Sequence, residues 1–138
     1  MPRLAHGVLA RIEAGFDTVA RALSSLDMAS NVYFEELPTE PRTAVAVGEK
    51  YFLRAGNSLA ATTVLVDRGS YTAVKVVATG ARSGILDLLD FGASGSYARM
   101  IVERLAEAAG AGYEVLAEVD HMAREESRLL SEGRQEPQ

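Results

Sequence analysis

The chain has no cysteine and no tryptophan, four prolines, and only 7% aromatic residues in 138 positions. Without cysteine there are no disulfides, cysteine-ligated zinc fingers, iron–sulfur clusters or thiol nucleophiles. With two histidines, few nitrogen ligands remain for a metal. Positive charge is also scarce: the net charge is −5. That balance works against wrapping nucleic acid, which rewards clustered Lys and Arg, and against attraction to an anionic membrane surface. No apolar run reaches the roughly 18–20 residues that span a bilayer. The N-terminus lacks the apolar block of a signal peptide. These absences point to a cytoplasmic protein that binds neither nucleic acid nor membrane.

What is present suffices for a core. Hydrophobic residues make up 48% of the chain, and the length fits one domain. That domain is expected over residues 1–120, with 121–138 a charged, partly disordered C-terminal extension.

Leu4, Val8, Ile12, Phe16, Val19, Leu23 and Leu26 recur at three- and four-residue steps. The spacing predicts a helix over 4–26 that tolerates Gly15 at about 1 kcal/mol. Val32–Glu36 reads as a short strand, ended by a loop holding Pro38 and Pro41. Between Thr43 and Thr79, runs rich in Val, Thr, Tyr and Leu break at Gly56-Asn57 and at Asp67–Ser70. Three strands follow, near 43–54, 58–67 and 71–79, joined by hairpin turns. In the last of these, Val74, Val76 and Ala78 share one face, with Tyr71, Ala73, Lys75 and Val77 opposite. Four glycines mark 80–95 as a crossover loop, within which Ile85–Phe91 could form a short strand or a helical turn. A second helix is expected over 96–109, with Ser94 or Ser96 as N-cap, Gly110 as its stop and Tyr97, Ile101, Leu105 and Ala108 as its buried stripe. Residues 113–119 alternate as a strand, with a helix over 113–131 as the competing reading. The expected class is α+β: an antiparallel sheet of about four to five strands, with an N-terminal helix and a later helix packed on one face.

The series Glu49-Lys50-Tyr51-Phe52-Leu53-Arg54, Asn57, the Leu59–Asp67 strand, Gly80 and Gly84, and Asp90-Phe91-Gly92-Ala93 resembles a small prokaryotic family of uncharacterised proteins. Its members share a Lys-Tyr-aromatic-Leu/Met-Arg strand, a Gly-rich stretch, and an aromatic-Gly-Ala run leading into a final helix. The resemblance covers roughly residues 45–109. The family's adjacent glycines are replaced here by Gly80-Ala81-Arg82-Ser83-Gly84. The resemblance implies a small α+β domain and no established activity.

Two groups of residues could recognise a small anionic ligand. Lys50, Tyr51 and Arg54, with Lys75 on a neighbouring strand, could hold a carboxylate or phosphate, Arg54 by its two-pronged fork. Their competing role is pairing with local acids such as Glu35 or Asp67. The backbone around Gly92, Ser94 and Ser96 could present N–H groups at a helix start, or simply form a turn and cap. Gly92–Ser96 lacks the P-loop ending, and Asp90-Phe91-Gly92 lacks every other kinase element. Glu118 and Asp120 with His121, and Asp87 with Asp90, lack the further ligands of a metal site, and His6 is expected to be exposed. No nucleophile elbow is present, and no cofactor is implied. Apolar side chains on both sheet faces invite self-association, with cover by the C-terminal segment as the alternative. Three functional readings follow: a non-catalytic domain that forms a homodimer, an anionic-ligand module with a pocket between sheet and helices, and an enzyme of unknown class.

Overall fold

The computed structural model of the protein describes residues 5–26, 30–52, 57–80, 86–120 and 128–131. Six strands form one antiparallel sheet: β1 Ala5–Ile12, β2 Ser30–Leu37, β3 Thr43–Phe52, β4 Asn57–Asp67, β5 Thr72–Gly80 and β6 Tyr113–Asp120. Their spatial order is β2-β3-β4-β5-β1-β6. Two helices, α1 Phe16–Ser24 and α2 Leu86–Ala109, cover one face. The α+β class and the one-sided helical layer match the sequence reading.

Period-two alternation decides which side chains meet the helices. Val8, Ala10 and Ile12 of β1, Ala44 and Ala46 of β3, Leu59, Ala61 and Leu65 of β4, and Val74, Val76 and Ala78 of β5 all enter one buried cluster. From the helices, Phe16, Val19 and Leu23 meet Tyr97, Ile101, Val102 and Leu105 there. Each Val, Leu, Ile or Phe so enclosed contributes roughly 1.5–3 kcal/mol relative to exposure. At the border of that core, the buried Thr72 hydroxyl donates to the Ala14 carbonyl at 2.9 Å, fixing the β1–α1 corner.

Two turns are formed as their glycines require. Gly69 has φ +84° in the β4–β5 hairpin, where its N–H also donates to the Asp67 carboxylate at 2.9 Å. Gly110 has φ +68° and ends α2. Its N–H donates to Glu107 O at 3.1 Å and that of Ala111 to Ala106 O at 3.0 Å, the paired bonds of a Schellman stop.

Three expectations are corrected. The helix over 4–26 is two elements: 5–12 is strand, adding β1 to the sheet, and Gly15 is the boundary residue before α1. The second helix begins at Leu86, so 86–95 belongs to α2 and not to a loop, and Ser94 and Ser96 lie inside the helix instead of capping it. Ala108 is exposed, while Val102 is fully buried in its stead. The segment 113–120 is a strand, as the alternation indicated. Gly56, Arg54, His121 and the last seven residues lie outside the described residues.

Candidate functional site

The side of the sheet away from the helices is built by the other half of each strand. Strand register lays its residues in cross-strand rows. One row runs Tyr33, Val47, Thr62, Val77, Gly7, Val119; the next runs Glu35, Val45, Val64, Lys75, Leu9, Ala117. This outer face is divided in two. At the β5-β1-β6 end, Leu130 from a short 3-10 turn, Arg128–Leu130, packs with Leu9 and Val119, and Val77 and Ala117 close the cluster. The described part of the C-terminal segment thus covers this end of the second face. At the β2-β3-β4 end, Val45, Val47 and Val64 remain part-exposed and Tyr33 is 47% exposed, with no cover among the described residues. The Tyr33 hydroxyl donates to the Glu35 carboxylate on the same strand, and that bond raises the phenol's pKa.

Beneath the helices, the β3–β4 part of the inner face is made of small residues. Ala46, Gly48, Ala61 and Thr63 form a floor, and Leu23, Leu26, Ile101 and Tyr97 a roof. The free space between them is about 10 Å³, near the room one water molecule needs. Tyr97 is fully buried; burial, with a smaller contribution from Glu49, pushes its phenol up to about 12.

The best-formed polar cluster among the described residues joins three distant positions. Arg99 on α2 grips Glu118 on β6 with two prongs, Nε to Oε2 at 2.8 Å and Nη2 to Oε1 at 2.5 Å. His6 Nε2 on β1 lies 3.0 Å from Glu118 Oε2, and its side chain is only 13% exposed. The Arg99 hydrogen bonds, aided by His6 and opposed by partial burial, hold the Glu118 carboxyl down at about 2. The cluster ties the middle of α2 to the β1–β6 edge. Its members are 6, 99 and 118 in the chain, and reading 4–26 as helix put His6 on the wrong element. The only sequence signal was the even-numbered alternation His6, Val8, Ala10, Ile12.

Lys50 and Tyr51 lie near the end of β3, their backbones paired with Leu59 and Ser58 of β4, and Arg54 falls outside the described residues. Lys75 lies on the outer face between Val64 and Leu9. Gly92, Ser94 and Ser96 lie six to ten residues past the start of α2, where helical N–H groups are engaged by carbonyls four residues back. The helix-start geometry expected there is therefore absent. Asp67 is engaged by its own turn. No group of three metal-ligating side chains forms among the described residues, and no described helix is long and apolar enough to cross a membrane.

Sheet, helices and half-covered outer face define a small α+β domain with its helices confined to one side. The chain belongs to a family of unknown function (DUF6054), whose pattern matches residues 17–110. No curated protein matches it significantly. Two solved structures are similar in outline. TTHA0849 from Thermus thermophilus is 14% identical, with a TM-score of 0.45 over 76% of this chain and 96% of that one. A conserved protein from Geobacillus kaustophilus is 10% identical, with a TM-score of 0.38 over 80% and 99%. Likenesses this distant carry no function across.

Proposed function

We propose that this chain is a non-catalytic cytoplasmic domain that works by self-association, as a homodimer. The observation that carries the reading is the divided outer face. Leu130 packs on one half, whereas on the other Tyr33, Val45, Val47 and Val64 present apolar surface that no described residue covers. A sheet face of branched apolar residues is stabilised by packing against a second sheet about 10 Å away. Sedimentation equilibrium of the full chain is expected to give twice the monomer mass in the micromolar range. A monomer at several hundred micromolar would refute the reading.

A further inference from the structure

The apolar residues of the outer face run on beneath the segment seated on it. Leu9 and Val119 under Leu130, with Val77 and Ala117 beside them, lie on the same side of the sheet as Tyr33, Val45, Val47 and Val64. Lys75, between Val64 and Leu9 on β5, already has an interaction within the chain. Of residues 128–131 only Leu130 is buried; Arg128, Leu129 and Ser131 are exposed. The turn is closed on itself, the Ser131 N–H donating to Arg128 O at 2.9 Å. One enclosed leucine favours a seated segment over a released one by a factor on the order of ten to a hundred. The released form is then a minor state of roughly 1–10%.

Area decides what that minor state can do. Strands of eight residues, the length of β1, β2 and β6, run about 26 Å, and neighbouring strands lie about 4.8 Å apart. The half across β2, β3 and β4, uncovered among the described residues, therefore offers roughly 370 Å². A stable interface takes about 800 Å² from each partner. With Leu130 lifted away, the six-strand face offers roughly 750 Å². Resting on the self-association reading above, we infer that residues 128–131 are an autoinhibitory strap that competes with a second copy of the chain for the outer face. Seated, the strap confines association to the half it leaves uncovered. Released, it lets two whole faces stack, since the strap and a second sheet occupy the same layer, about 10 Å deep. Both copies must release, so a minor state of roughly 1–10% weakens the whole-face dimer by roughly a hundred- to ten-thousand-fold. Loosening the strap removes part of that factor.

The test uses the full chain, with Leu130→Ala to loosen the strap and Leu129→Ala as its control. Leu129 sits on the same turn, 48% exposed and outside the buried cluster. Each variant is checked for native far-UV circular dichroism, and dissociation constants come from sedimentation equilibrium. L130A is expected to associate at least about tenfold more tightly than the wild type, and L129A within about twofold of it. If L130A unfolds the chain, the milder L130V serves instead, with association tightened about threefold. An L130A chain that associates no more tightly than a dimeric wild type, or that forms aggregates of no fixed size, overturns the strap and leaves self-association through the uncovered half. A wild type and L130A both monomeric at several hundred micromolar overturn both readings. A monomeric wild type beside a dimeric L130A upholds the strap and refutes the resting dimer.

Discussion

Replacing Glu118 by glutamine should remove a defined, pH-dependent part of the stability. Glutamine keeps the size and one acceptor but loses the charge that Arg99 holds at 2.8 and 2.5 Å. The Glu118 carboxyl falls from an ordinary 4.5 to about 2 in the folded chain. At 1.36 kcal/mol per pKa unit the upper bound is roughly 3.4 kcal/mol. The cluster is partly open, with the Glu118 side chain 27% and Arg99 55% exposed, so solvent screening brings the expected contribution to about 1–2 kcal/mol. The sign follows from linkage. A carboxyl whose folded pKa is depressed stabilises above its unfolded value, and that stabilisation disappears as pH falls toward the folded value. Urea unfolding followed by circular dichroism, at fixed protein concentration, should show wild type ahead of E118Q by about 1–2 kcal/mol from pH 5 to 7. The gap should close progressively between about pH 4.5 and 2. A difference that stays constant across that range, or is absent at pH 7, would refute the clamp as described.

Other consequences are open to direct measurement. Leu105→Ala, at a fully buried site, should cost about 2–5 kcal/mol in urea unfolding. Thr72→Val keeps the shape but strands the Ala14 carbonyl, so a loss of about 1–3 kcal/mol is expected. Gly110→Ala meets no steric neighbour but forces a side chain into φ +68°, costing about 1 kcal/mol through backbone strain alone. In an alkaline absorbance titration Tyr97 should be the last tyrosine to ionise, near pH 12 or on unfolding, and Y97F should delete that last step.

The outcome for residues 4–26 shows how far a pattern reaches. Leu4, Val8 and Ile12 are spaced by four, which places residues on one face of a helix and equally on one face of a strand. Phe16, Val19 and Leu23 mix steps of three and four, which only a helix satisfies, and that part is helical. Gly15 marked the change of element and was read as a tolerated interruption. On α2, glycines at 92 and 95 suggested a loop, yet the helix continues through them, because tertiary packing outweighs a propensity cost near 1 kcal/mol per glycine.

Local chemistry by itself determined the β-layer. Alternation set the faces of β3, β4 and β5, and Gly69 and Gly110 set two reversals, because those features depend on neighbours within a few residues; in β6 the register shift opposite Leu9 and Ala10 puts Val115 on the helix side and Ala117 and Val119 on the other. The tertiary structure alone decided the rest. It inserted β1 between β5 and β6, brought His6 and Arg99 to Glu118, and seated Leu130 over one half of the outer face. Those contacts join positions that chain order leaves far apart. Such positions meet only when whole elements bury their faces together, a condition that no local period encodes.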